Sequence, residues 1–260
     1  MVDVPENPYS RRAIVVMRQR DFDRINYENL APEVIGDDEI SIVIYDKNEI
    51  FSNNNLHPVI DQLVAYDLFR PGKVLVQNPF QPDNYREQSA ALEDFSLRKH
   101  ELFTELCQYL GAKKIEIQQI SIDDAEDQMK VGAEVDSQVK GVGVTGGSEL
   151  GLKLRNSLSE RLDFNTQFAG SEPQIEEANK FLVEYGLRAD ESFTNLVRLR
   201  QNTANPLKER YIRLNVSEEA RRNIDVASRI DIGKIFNGHA TVERQQESRK
   251  GIDLTVRVVF

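Results

Sequence analysis

Apolar and polar positions alternate most regularly between Ser148 and Phe168, in the segment SELGLKLRNSLSERLDFNTQF. Leu150, Leu152, Leu154, Leu158, Leu162, Phe164 and Phe168 share one set of alternate positions, interrupted by Asn156, Glu160 and Thr166. The other set, from Glu149 to Gln167, carries no apolar side chain. Successive side chains of a strand point to opposite faces, so this pattern predicts a half-buried antiparallel strand. Leu150, Leu154, Leu158 and Leu162 would also make a helical i, i+4 stripe. Leu152 and Phe164 would then lie off it, and the strand reading is favoured.

Two more strands are expected before this one. Met129, Val131, Ala133, Val135 and Val139 share a face, and the phase slips to Val142 and Val144 across Gly141 and Gly143. Glycine within a strand marks a bulge, and one inserted residue flips the faces. Gly146-Gly147 would close the hairpin. The stretch from Lys113 to Asp123 slips in the same way, between Ile115/Ile117 and Ile120/Ile122. The acidic residues from Asp123 to Asp127 would form the turn that follows. Residues 113–168 thus read as a long antiparallel β-meander.

A long amphipathic helix is predicted over about 84–110, with Leu92, Phe95, Leu102, Phe103, Leu106 and Leu110 on one face. Asp83 is placed to cap its start and Gly111 its end. The expected fold class is α+β, with the meander packed on this helix and a helical, then β, C-terminal part. Shorter strands are expected at Ala13–Met17, 39–45 and 73–77, and a helix at 59–69. Past Gly170-Ser171-Glu172-Pro173, helices are expected at 174–185 and 190–200, then a strand at 211–216. A further helix would start at Ser217, and a terminal strand carries Ile252, Leu254, Val256, Val258 and Phe260. The break near Gly170 suggests domains 1–169 and 170–260, and a single domain fits the same pattern.

Composition narrows the function classes. The 260 residues are 40% hydrophobic and 29% charged, the balance of an ordinary globular chain. A net charge of −10 argues against nucleic acid held across the whole surface, since phosphate binding needs clustered positive charge. A local basic patch of Arg11, Arg12, Arg18 and Arg20 stays open. The single cysteine, Cys107, rules out an internal disulfide and a cysteine-based zinc site within one chain. No apolar run approaches the roughly 20 residues of a membrane helix, and the first residues carry no signal-peptide h-region. The expectation is a soluble, acidic, cytoplasmic protein.

Candidate chemistry is sparse. Gly141 to Gly146 matches G-x-G-x-x-G, but a dinucleotide site needs a helix after it, and here a hairpin turn is expected. His57 precedes Pro58 at a helix start, where a capping or surface role is expected. His100 is expected to face water, and His239 follows a turn. No pair of histidines has metal-ligand spacing. Cys107 reads as a small buried hydrophobe, two helical turns from His100. Carboxylate pairs such as Asp37/Asp38, Asp123/Asp124 and Glu176/Glu177 carry no specific signal. No catalytic, cofactor-binding or metal-ligating residue is assigned.

The leading expectation is therefore a non-enzymatic interaction module: a scaffold, adaptor or effector subunit, oligomeric or bound to a protein partner. The first alternative is a soluble β-hairpin pore-former, since strand 148–168 exceeds the roughly ten alternating residues of a barrel strand. Membrane contact is expected only under that alternative. The second is an enzyme whose site is built from scattered loop residues.

Overall fold

The computed structural model describes residues 4–46, 57–123, 149–236 and 251–260. The fold is α+β, with two four-stranded sheets among these residues. The chain forms two compact units, Met1–Leu92 with Glu218–Arg249, and Glu93–Ser217 with Lys250–Phe260. Neither is one continuous stretch.

In the first unit, β1 (Ala13–Met17) is buried at every position. It is flanked by β2 (Ile40–Ile44), which runs parallel, and β3 (Lys73–Asn78), which runs antiparallel. A strand enclosed on both sides and both faces is apolar throughout, as AIVVM is. Between β1 and β2 lie α1 (Gln19–Glu28) and α2 (Pro32–Ile35). Val59, Ile60 and Leu63 of α3 (Pro58–Ala65) join Ile14, Val16, Val43 and Leu75 in one apolar cluster.

The edge strand β4 (Gln81–Glu87) occupies residues expected to begin the long helix. Its sequence, QPDNYRE, has a single buried apolar side chain, Tyr85, so it carries no strand periodicity. Pro82 is tolerated there because an edge strand has one unpaired side. Asp83 accordingly caps nothing. Its carboxylate accepts from Arg11 Nη2 at 2.6 Å, while Tyr85 Oη donates to Arg11 O at 2.8 Å.

Arg11 and Arg12 are thus not a surface patch. Each is 3% exposed. Arg12 donates to Asn223 Oδ1 at 2.6 Å and to Glu219 on α8 (Glu218–Ser228), and Asn223 Nδ2 returns to Gln77 O at 3.0 Å. Arg12 Nε lies 2.9 Å from Glu39 Oε1, a charge contact without hydrogen-bond alignment. These links hold α8 against β1 and β3. The short α9 (Ile232–Phe236) follows, and Ile235 O accepts from Arg24 of α1.

The second unit holds most of α4 (Gln88–Tyr109), which runs over 22 residues. Phe95, Leu102, Phe103, Leu106 and Leu110 are buried as expected. Gly111 ends the helix at φ +78°, and the Ala112 N–H reaches back to Cys107 O at 2.9 Å. This is a left-handed C-cap, which glycine adopts without a Cβ penalty.

The sheet of this unit has the order β6-β5-β8-β7, antiparallel throughout. The strands are β5 (Lys114–Asp123), β6 (Asn165–Gln167), β7 (Glu209–Asn215) and β8 (Gly251–Val259). The expected phase slip in β5 is a register shift between Ile117 and Gln119 against β8. It keeps Ile115, Ile117, Ile120 and Ile122 all on the buried side. The alternation of β8 sends Ile252, Leu254, Val256 and Val258 to the same core. Phe103 meets Phe193 of α7 (Glu191–Gln201) edge to face at 5.6 Å, and Tyr109 meets Phe181 of α6 (Ile175–Glu184) at 5.7 Å.

One large expectation fails. Residues Glu149–Arg161 are a helix, α5, and only Asn165–Gln167 pair as a strand. The meander over 113–168 is therefore corrected to β5, helix α5 and a three-residue β6. Helix propensity explains the outcome: ELGLKLRNSLSER is dominated by Leu, Lys, Arg and Glu and contains no β-branched residue. Leu158 and Leu162 of the i, i+4 stripe are buried. The strand expected at Met129–Val144, its acidic turn beyond Asp123 and the Gly146-Gly147 turn lie outside the described residues.

Candidate functional site

A groove of about 300 Å³ lies in the second unit. One wall is a face of α4, from Leu97 through His100, Glu101, Thr104 and Glu105 to Gln108. The other runs from Arg161 at the end of α5 through Leu162, Asp163 and Thr166 to Phe168. Residues three and four apart on a helix stand above one another, so Leu97, His100 and Thr104 form one column.

Local structure fixes the second wall. Arg161 donates to Glu93 Oε1 at 2.7 Å and to Asp94 Oδ1 at 2.9 Å, and Ser157 Oγ donates to Glu93 Oε1 at 2.7 Å. These contacts hold the end of α5 to the start of α4 within the unit. Beyond it, Ile117 N donates to Phe164 O at 3.0 Å and Phe168 N to Lys113 O at 2.8 Å. Thr166 and Phe168 are positioned by these bonds to the β5 edge.

His100 is the central surprise. Expected to face water, it is 5% exposed. Its Nε2 and the Thr104 Oγ1, one turn further along, are shut from solvent and have no hydrogen-bond partner. An unsatisfied buried polar atom costs about 1–3 kcal/mol, so such atoms ordinarily find partners. Burial pushes the His100 pKa down to about 4, against the opposing pull of the Glu101 and Asp163 carboxylates. The imidazole is therefore neutral at pH 7 and keeps one nitrogen lone pair as an acceptor.

The lining charge is acidic. Glu101, Glu105 and Asp163 face the groove, with Arg161 the one cation among the lining residues. Arg161 is already engaged by Glu93 and Asp94, whose hydrogen bonds and charges hold its pKa above the ordinary guanidinium value despite desolvation. Glu101 accepts from Arg98 Nη1 at 2.9 Å, an exposed pair. Apolar surface comes from Leu97, Leu162 and Phe168.

The remaining candidates are not brought to this groove. Cys107 is wholly buried, and burial pushes its thiol well above the usual range, which suits packing and not nucleophilic attack. His57 caps α3, its Nδ1 accepting from Val59 N at 3.2 Å. Asp37 pairs with Arg229 at 3.2 Å, and Glu177 with Lys180 at 2.8 Å. His239 and the glycine motif at 141–146 lie outside the described residues. Among those residues, no group of three or more His, Cys, Asp or Glu is placed to hold a metal ion. No described helix is long and apolar enough to cross a membrane.

No family model, curated protein or solved structure matches this chain.

Proposed function

We propose that this chain is a non-enzymatic interaction module, a subunit or adaptor of a protein assembly, and that the α4 groove is where its partner is held. The observation that supports this is a groove that combines apolar surface from Leu97, Leu162 and Phe168 with the carboxylates of Glu101, Glu105 and Asp163. An imidazole that titrates near 4 is a poor general base at neutral pH, which favours recognition over proton transfer. The pore-forming alternative loses its main support, because residues Glu149–Arg161 are helical and the alternating strand that suggested it is absent there.

Photo-cross-linking in cells tests the proposal on the full chain. A photoreactive phenylalanine analogue at Gln108, exposed on the groove wall, is expected to form a discrete protein adduct. The same analogue at Glu184, exposed and outside the groove, is expected to form none. Glu101→Lys combined with Asp163→Lys reverses the charge at two exposed positions of the groove, so folding is retained and the adduct is lost. Equal cross-linking from Gln108 and Glu184, or an adduct that survives the double variant, would contradict the proposal.

A further inference from the structure

Independently of the α4 groove, we infer that the free edge of β2 is a docking surface for β2 of a second copy of this chain, paired antiparallel about Ile42. The sheet of the first unit ends on β2, since its order is β2-β1-β3-β4. In a parallel pair, alternate residues of a strand bond to one neighbour and the rest point the other way. The Ala13 N–H reaches Glu39 O at 3.3 Å and the Tyr45 N–H reaches Met17 O at 2.7 Å, so the odd-numbered residues of β2 face β1. The backbone groups of Ile40, Ile42 and Ile44 therefore point away from the sheet. The Ile40 N–H donates to Asp37 O at 3.2 Å. Among the described residues, Ile40 O and the N–H and C=O of Ile42 and Ile44 have no partner.

The other described edges are protected, and this one is not. Exposed edges invite strand addition, and proteins blunt them with charge, proline, brevity or covering groups. β4 carries Pro82 with Asp83, Arg86 and Glu87, and β6 has only three residues. β7 presents Glu209, Tyr211 and Arg213, and side chains cover part of its edge: Ser192 Oγ donates to Arg213 O at 3.3 Å and Lys99 Nζ to Asn215 O at 2.8 Å. β2 reads ISIVI, with no charge, no proline and an unbroken register against β1. Ile42 and Ile44 are only half-buried, and α2, which packs on β2, exposes Ile35.

This edge complements itself. With Ile42 set opposite its own counterpart, the Ile42 N–H and C=O of the two copies exchange hydrogen bonds. The Ile44 N–H then meets the unpartnered Ile40 O, while the Ile40 N–H is already held by Asp37. Ile40 lies against Ile44 and Ser41 against Val43, so β-branched side chains meet across the joint. Asp37 and Glu39 at the entry to β2 are neutralised within each copy: Arg229 lies 3.2 Å from Asp37, and Arg222 and Arg12 lie 2.7 Å and 2.9 Å from Glu39. A strand rich in lysine or glutamate would find no countercharge along Ile40–Ile44. A neutral, β-branched strand fits, and every copy of the chain carries one at this same place. The resulting two-fold pair is isologous, so it closes as a dimer.

Sedimentation velocity of the full chain from about 1 to 300 µM tests this, together with amide exchange read by NMR. A reversible monomer–dimer equilibrium is expected. The Ile42 and Ile44 amides are expected to exchange fast in dilute protein and to become protected as the dimer fills, while that of Tyr211 on the β7 edge is unchanged. Ile42→Lys is expected to weaken association about tenfold, because a lysine on an edge strand resists burial in a joint. Asp38→Lys gives a readout that an unfolded variant could not mimic. Exposed Asp38 would stand opposite Asp46 of the other copy, so reversing its charge is expected to tighten the dimer about threefold. A monomer throughout the range would overturn the second copy as occupant. A dimer without protection at Ile42 and Ile44, or one that Asp38→Lys leaves unchanged, would overturn the β2 joint.

Discussion

Asp190→Ala is expected to remove about 3–5 kcal/mol of stability, because it strands a buried lysine. Lys99 is 2% exposed, and its ammonium lies 2.5 Å from Asp190 Oδ2 and donates to Asn215 O at 2.8 Å. Without the carboxylate, the charge stays in a low-dielectric site with one carbonyl and the distant face of Phe193 as its remaining support. The same aspartate caps α7, its Oδ1 accepting from Ser192 N at 3.0 Å, which adds about 1 kcal/mol to the loss. Two variants separate these contributions. Asp190→Asn keeps a capping oxygen and removes only the charge, so most of the loss remains. In a Lys99→Met background no charge is stranded, and the further cost of Asp190→Ala falls to about 1 kcal/mol, that of the cap alone. Urea unfolding of the four proteins measures the cycle. An equal cost for Asp190→Ala in both backgrounds would show that the pair is not coupled.

Gly111→Ala is the second large effect, with an expected loss of about 2–5 kcal/mol. The backbone sits at φ +78°, where an L side chain costs about 1–2 kcal/mol. A Cβ there would also stand 2.0 Å from Ser171 O, a contact no rotamer relieves because both atoms belong to the backbone. The segment leading into α6 would have to move, and it is anchored nearby by Gln174 N donating to Tyr109 O at 2.7 Å. Gly186 provides the comparison. It has φ +65° with open space where its Cβ would be, so Gly186→Ala is expected to cost the conformational strain alone. Unfolding midpoints that fall equally for the two variants would refute the close approach at Gly111.

These two positions also show where sequence patterning reaches and where it stops. Gly111 is legible as a helix cap, since a glycine directly after a run of periodic apolar residues marks the end of a helix. The bulge in β5 is visible as a phase slip among four isoleucines, and β8 as strict alternation to Phe260. Such signals are local. The pairing of Lys99 with Asp190 is not, because the two lie far apart in sequence and neither is distinctive alone. The burial of His100 escapes the pattern for the same reason. Ser96, Lys99 and His100 are polar residues on a helix whose apolar stripe explains only one of its buried faces. The groove that borders His100 is closed by α5, the segment whose alternation suggested a strand. Its composition, rich in Leu, Lys, Arg and Glu without a single β-branched residue, is the signal for helix, and it outweighs periodicity.

The buried, neutral His100 at the groove wall has a pH signature. Its native pKa, about 4, lies below the ordinary value of 6.5. Below 6.5 the unfolded chain therefore takes up a proton that the folded protein refuses. Stability contributed by this site is fully present above pH 6.5 and is lost as pH falls toward 4. About 2 kcal/mol should disappear between pH 7.5 and 5. Arg161, the cation of the same groove, stays charged throughout. The direct measurement is an NMR pH titration of the His100 Cε1–H in the full chain, assigned by comparison with His100→Phe. A midpoint near 4 is the predicted result. A midpoint near 6.5 would put the imidazole in water and contradict the closed wall on which the reading of that groove as a recognition site rests.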